Sequence, residues 1–226
     1  MNNLNVVITG ASRGLGLAIA RLLAEGGANL LLVARHGQTL SEAARTLGPR
    51  VTTLAADVSQ SAEEIAALAK ARLGRVDVLI NNASTVGPSP MPALADYPWQ
   101  RLEEVLRVNL LAPLHLTQLL LDSLVDGAAV INLTSDAAVN AYPGWGGYGA
   151  SKAALEHLTR TLAAEHPRLR FYLVDPGDMN TVMHQEAEPG VDLSHLPSPE
   201  TVAPFFLQLI AERPSELRFE AQAVLR

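Results

Sequence analysis

The chain has 226 residues, 48% hydrophobic and 18% charged, enough apolar material for one large α/β domain or two small ones. A net charge of −6 and a pI near 5.5 argue against nucleic acid as a bulk electrostatic partner. Cysteine is absent, which excludes disulfides and thiolate metal sites.

In chain order, Leu4–Thr9 is a short apolar run of β character bounded by Gly10. Gly10-Ala-Ser-Arg-Gly14-Leu-Gly16 follows, and Leu15–Glu25 has the composition and length of a helix. A strand, a glycine-rich turn and a helix make a dinucleotide-binding opening. The glycines let the backbone turn sharply and approach phosphates, which favour the free N–H groups and dipole of a helix N-terminus. Further strands are predicted at Asn29–Ala34, Val51–Ala55, Val78–Asn81, Ala128–Thr134 and Arg170–Val174. Helices are predicted near Thr39–Leu47, Ala62–Leu73, Trp99–Leu124 and Tyr148–Glu165. This alternation is what a parallel sheet requires, and no linker or repeat interrupts it, so residues 1–226 read as a single domain.

Glu186–Ser198, rich in Pro, Gly and acidic residues, reads as a mobile loop within a substrate segment spanning residues 182–198. The longest apolar stretch, Leu110–Val125, is too short for a membrane span and is interrupted by Pro113, His115, Gln118 and Asp122. The chain starts almost directly in a strand, without a basic n-region or cleavable apolar segment, so a soluble, cytoplasmic protein is expected. Gly144-Trp-Gly146-Gly-Tyr-Gly149 matches the commoner dinucleotide string, but no strand leads into it, and it reads as a loop entering a helix. His184 and His195 lie near acidic residues with nothing to put them on one face, and no metal site is expected.

Tyr148 and Lys152 are four positions apart, so on a helix their side chains share one face. A tyrosine titrates near pH 10 and is ordinarily a poor acid–base group at neutrality. A cation about 4 Å away, at an effective dielectric of about 20, favours the phenolate by about 4 kcal/mol. That corresponds to a downward shift of roughly three pKa units, into the range of a general acid–base catalyst.

Taken together, these residues resemble the short-chain dehydrogenase/reductase family in its single-domain form. The matching elements are Thr9–Gly16, Asp57-Val58, Asn81-Asn82-Ala83, Asn109, Ser135, Tyr148 with Lys152, and Pro176-Gly177 followed by Thr181. The resemblance implies a three-layer Rossmann fold, a doubly wound, mostly parallel sheet with helices on both faces. It implies Tyr148 as the acid that protonates a carbonyl oxygen as hydride arrives, and Lys152 as the group that lowers its pKa and holds the nicotinamide ribose. Ser135 would donate a hydrogen bond to the substrate oxygen, and Asn109 would anchor a water chain returning protons to Lys152. The implied cofactor residues are Gly10, Ser12, Arg13, Gly14, Leu15, Gly16, Arg35, Asp57, Val58, Asn82, Ala83, Tyr148, Lys152, Pro176, Gly177, Met179 and Thr181.

The position after the second strand, where an acidic residue would accept the ribose hydroxyls of NAD, is Arg35. With Arg13 on the same side of the pocket by analogy, two guanidinium groups suit a 2′-phosphate, and NADP(H) is expected over NAD(H). Ser84 stands where the family has glycine, and Trp145 and Met183 are candidates for the substrate wall. Val86, Met91, Trp145 and Met183 together suggest a small hydrophobic ketone or aldehyde. Leu217–Val224 is shorter and more polar than the glycine-rich last strand of many relatives. Pairing of the helices at Trp99–Leu124 and Tyr148–Glu165 would give a homodimer or homotetramer. A different class is also compatible, an NADP(H)-binding regulator or sensor without turnover, although all four catalytic positions are filled.

Overall fold

A computed structural model describes residues 1–224. Its sheet comprises β1 (Asn5–Thr9), β2 (Asn29–Ala34), β3 (Val51–Ala55), β4 (Val76–Asn81), β5 (Leu124–Leu133), β6 (Arg170–Asp175) and β7 (Arg218–Glu220). The seven strands lie in the order β3-β2-β1-β4-β5-β6-β7 and every neighbouring pair is parallel. The helices are α1 (Gly14–Glu25), α2 (Gly37–Arg45), α3 (Ala62–Leu73), α4 (Trp99–Leu106), α5 (Ala112–Leu120), α6 (Gly146–Glu165), α7 (Val182–Ala187), α8 (Pro199–Glu212) and the short α9 (Ala221–Val224).

The central strands are unbroken apolar runs because both faces of the sheet are covered. Successive side chains point to opposite faces, so one strand feeds two cores. Val6 and Ile8 of β1 join Leu30 and Leu32 of β2 beneath α1 and α8, whereas Val7, Leu31 and Val33 join Leu79 and Val130 beneath α3 and α5. Each such side chain is worth about 1.5–3 kcal/mol when fully removed from water. The strand order reverses between β1 and β4, which opens a crevice beyond the carboxyl ends of the strands. No helix among the described residues is long and apolar enough to cross a membrane.

Three sequence expectations are corrected. The helix predicted over Trp99–Leu124 is three pieces, α4, a π-helical turn at Arg107–Leu111, and α5. Pro113 has no N–H to give the Asn109 carbonyl four residues earlier, so the regular ladder cannot run through this point. The predicted strand Ala128–Thr134 begins earlier, at Leu124, with an irregularity where Val76 pairs Leu124 and Val78 pairs Ala129. The segment 182–198 is not irregular throughout, since its first residues form α7, with the Thr181 side chain accepting the His184 N–H.

Helix α8 was not anticipated. Ser198 precedes Pro199 at the first turn, and Val202, Phe206, Leu209 and Ile210 repeat at helical spacing against the core. Pro204 lies inside this helix, on its exposed face. The polar tail also forms a strand, β7, which adds to β6 in the register Leu173↔Arg218, Val174↔Phe219 and Asp175↔Glu220.

Candidate active site

The carboxyl ends of β1 to β6 open into a cleft of about 280 Å³. Of the site residues expected from sequence, all line this cleft except Gly16, Met91 and Asn109. Gly14, in the left-handed region at φ +57°, faces it; a Cβ there would meet only Thr181 Cγ2, at 3.9 Å. Gly16 instead lies under the turn, where a Cβ would come within 2.5 Å of the Gly10 carbonyl and of Asn82 Nδ2. That amide donates to the carbonyls of Thr9 (2.9 Å) and Gly10 (3.1 Å), while Thr9 Oγ1 accepts the N–H groups of Asn82 and Ala83. The ends of β1 and β4 are thereby tied together at the switch point.

The first turn of α1 holds no acidic residue and no side-chain cap. Its N–H groups are left for an acceptor from outside the helix, which fits a pyrophosphate. Arg35 and His36 follow β2 and line the same end of the cleft. Arg35 is exposed and has no ion pair among the described residues, whereas Arg13 lies 3.6 Å from Glu186 of α7. Asp57 follows β3, where its Oδ1 accepts from the Ser59 amide (2.9 Å) and hydroxyl (2.6 Å). It caps that tight turn and not α3, whose N-cap is Ser61.

At the opposite end, α6 presents Tyr148 and Lys152, which are 7% and 2% exposed. The helix starts with close approaches: a Cβ at Gly147 would sit 2.6 Å from the Tyr97 ring, and one at Gly149 would sit 2.6 Å from the Ala137 carbonyl. Lys152 Nζ donates to the Leu133 carbonyl at 2.7 Å and lies 5.5 Å from the centre of the Tyr148 ring. Trp145 meets that ring edge-on at 5.7 Å. Val86, Ala137, Ala187, Met91, Trp145 and Met183 form an apolar cluster around Tyr148.

The electrostatics reverse the sequence expectation for the protein's own groups. Burial pushes the Tyr148 phenol above its ordinary range, and the Asp175 charge adds to this; hydrogen bonds from Ser135 and Ser84 pull the other way. Burial pushes Lys152 down to about 7, with Asp175 opposing. Helical spacing puts the two side chains on one face, but the ammonium ends over the ring and on a carbonyl, not at the phenol oxygen. Removal from water then outweighs the cation's attraction.

Ser135 follows β5. Its Oγ accepts the Ala137 N–H at 3.2 Å and donates to Asp136 Oδ1 at 3.1 Å. Asn109, on the π-helical turn and 1% exposed, lies behind the cleft wall. Its Oδ1 accepts from Ser84 Oγ (3.1 Å) and Thr85 N (2.9 Å), and its Nδ2 donates to the Thr85 carbonyl (2.9 Å) and Ser151 Oγ (3.0 Å). It staples the loop after β4 to α6, and Ser84 stands between Asn109 and Tyr148.

Sequence reasoning missed Asp136, Asp175 and Asp178, and considered His184 only as a metal ligand; all four line the cleft. The first adjoins Ser135, and Asp175 and Asp178 flank Pro176-Gly177, so adjacency to the motifs was the available signal. His184 lies between Asp178 (4.0 Å) and Glu188 (3.6 Å) and meets Trp145 edge-on at 6.4 Å. Among the described residues no three His, Cys, Asp or Glu side chains gather to hold a metal ion.

Comparison with known proteins agrees with this geometry. The sequence profile of the family described as short chain dehydrogenase matches residues 4–192. The uncharacterized oxidoreductase YciK of Escherichia coli K12 is 29% identical over 237 aligned positions, covering 98% of this chain and 93% of that one. The 2-(R)-hydroxypropyl-CoM dehydrogenase of Xanthobacter autotrophicus is 34% identical over 189 positions, 79% of this chain and 76% of its own. A crystal structure from Shigella flexneri, described as a short-chain dehydrogenase complexed with NADP, superposes with a TM-score of 0.89 at 28% identity, covering 98% of each chain. The chain belongs to the short-chain dehydrogenase family and is an NAD(P)-dependent oxidoreductase acting on the CH–OH/C=O pair.

Proposed function

We propose that the cleft interconverts a small hydrophobic ketone or aldehyde and its alcohol with NADP(H), using Tyr148 as the proton donor and acceptor. The observation that carries this reading is the convergence of Tyr148, Lys152 and Ser135 on the same cleft as the uncapped N-terminus of α1. Bound there, the nicotinamide supplies hydride to the carbonyl carbon, or takes it from the alcohol.

In the reducing direction the raised Tyr148 phenol keeps its proton at neutral pH until negative charge develops on the substrate oxygen, and then donates it. Ser135 supports that oxygen by turning its hydroxyl from Asp136, an electrostatic contribution that grows as the charge develops. Lys152 holds positive charge beside the phenolate left behind and offers its remaining N–H groups to the ribose. Arg35 and Arg13 suit a 2′-phosphate, and the NADP complex of the Shigella structure supports the same preference. The apolar cluster around Tyr148 favours a hydrophobic substrate, and the named substrate of the Xanthobacter relative, a secondary alcohol, supports the CH–OH class.

Tyr148→Phe is expected to lower kcat at least 10³-fold, an acid–base contribution of ordinary size, while NADPH binding stays within about threefold. Near-normal turnover of that variant with a panel of ketones would show that the phenol is not the proton donor.

A further inference from the structure

The polar tail after α8 has no part in the roles above, yet it ends against the wall of the cleft. After β6 the chain runs through Pro176, Gly177, Asp178 and Met179 without regular structure, and all four line the cleft. Pro176 has no N–H to give, and Gly177 lies in the left-handed region at φ +72°. From Pro176 to Met179 no backbone group bonds another backbone group among the described residues. Side chains supply the missing partners. Asp175 Oδ1 accepts the Gly177 N–H at 2.9 Å. Gln222 of α9 donates from Nε2 to the carbonyls of Pro176 (3.1 Å) and Asp178 (2.7 Å). A primary amide has two N–H hydrogens, so this fork spends both on one turn. Gly177 lets it approach: a Cβ there would stand 2.7 Å from the Gln222 Nε2 and 2.8 Å from its Cδ. Gln222 does not line the cleft and braces the turn from outside it. Strand β7 brings it there. Glu220 pairs with Asp175, Ala221 is fully buried in the core, and Arg218 Nε donates to the buried Glu156 at 3.0 Å.

We propose that Gln222 is a positioning residue for the nicotinamide half of the cofactor, acting through the Pro176–Asp178 turn. The inference rests on the reading that hydride passes beside Tyr148. The turn belongs to that end of the cleft: Asp178 lies 4.0 Å from His184, which meets Trp145 edge-on, and Trp145 in turn meets Tyr148. A nicotinamide close enough to share a substrate carbon with Tyr148 is walled by this turn, so the position of its ring follows that of Pro176 and Gly177. The adenosine half lies at the other end, with Arg35 and the N-terminus of α1, beyond the reach of Gln222. Loss of the fork frees two carbonyls and leaves the turn with the Asp175 contact alone. Small displacements of a hydride donor are costly, because transfer depends on the alignment of the reacting atoms.

Gln222→Met keeps the length of the side chain and loses both donors, and Gln222→Glu sets acceptor oxygens against the two carbonyls. Each full-length variant is titrated with NADPH and with adenosine 2′,5′-bisphosphate, which carries the phosphate-bearing half without the nicotinamide. Both variants are expected to weaken NADPH by about 3–10-fold, the loss of one or two neutral hydrogen bonds, and to bind the bisphosphate as wild type does. In single-turnover reduction at saturating NADPH the hydride step should slow by about 10–100-fold. In the cofactor-free protein, amide exchange at Gly177–Met179 should quicken while that of β5 stays as it was. NADPH affinity and hydride rate both unchanged would overturn the proposal. Equal weakening of NADPH and the bisphosphate would overturn it too, since that marks a general loosening of the fold. The two variants differ in charge, so failure of one to fold leaves the other to decide. A wild type that binds NADPH and reduces no carbonyl would sink the proposed function, while the two affinities and the exchange rates would still judge Gln222.

Discussion

Asn109→Ala should destabilise the fold by about 2–4 kcal/mol, because the side chain is the partner of a backbone, not of a reacting atom. It satisfies both the N–H and the C=O of Thr85, each at 2.9 Å, and no other protein partner for either is found among the described residues. A buried polar group left unpaired costs about 1–3 kcal/mol. Thr85 is only half-buried, so water recovers part of the loss and the lower half of that range applies to each group. The two hydroxyls add little, since Ser151 Oγ already donates to the Tyr148 carbonyl at 2.6 Å and Ser84 can rotate. For a chain of this size 1 kcal/mol moves Tm by about 2–4 °C, so the variant should melt roughly 4–16 °C lower. Urea denaturation followed by fluorescence of Trp99 and Trp145 gives the free energy directly. A variant within about 0.5 kcal/mol of wild type that nevertheless lost turnover would refute the staple and place Asn109 on the reaction path.

Arg35→Asp should weaken NADPH on the order of 10–100-fold, the loss of a charge-assisted hydrogen bond worth about 1.5–3 kcal/mol. NADH should be weakened less or tightened; an unchanged NADPH-to-NADH affinity ratio in nicotinamide fluorescence titrations would sink the assignment. Lys152 titrates near 7 when folded and near 10.5 when unfolded, so between those values the unfolded chain holds a proton that the folded one lacks. Its burial is therefore destabilising below pH 7, and that penalty fades as pH rises toward 10.5. Lys152→Met should gain stability relative to wild type at pH 6 and lose the advantage by pH 10; a difference independent of pH in urea titrations would contradict this. Trp99 and Leu111, 69% and 51% exposed along the α4–α5 arm, are proposed to be covered by a second copy. Light scattering should give at least twice 24.1 kDa, and Trp99→Glu should reduce it; a monomeric wild type would end the idea.

The parallel sheet was legible because strands buried on both faces are written as unbroken apolar runs, such as Leu30–Val33. The placement of the glycine turn and of Tyr148 and Lys152 in the cleft was legible because it depends on local spacing. What failed was whatever spacing does not determine. Pro113 was read only as an interruption of an apolar stretch, although it marks the break in the helix where Asn109 sits. Helix α8 lies in a stretch for which no element was predicted, although Val202, Phe206, Leu209 and Ile210 repeat at helical spacing. Arg218 meets Glu156 across 62 residues of sequence, a contact that exists only once β7 has joined the sheet. The Tyr148 phenol was assigned the wrong direction of shift because helix geometry gives proximity and says nothing of how much water remains.

The start of α6 has a further consequence. Its opening Gly146-Gly147-Tyr148-Gly149 places three glycines in one turn, each about 0.8–1 kcal/mol poorer than alanine in a helix. That turn borrows its order from neighbours that press against it, the Tyr97 ring and the Ala137 carbonyl, and has little of its own. Regions so built open at a fraction of the global free energy. Tyr148, the proposed proton donor, thus rides on a turn whose order depends on those contacts, while Leu155 and Thr159 further along sit in regular, buried helix. Heating is therefore expected to cost this chain its activity at a lower temperature than its fold.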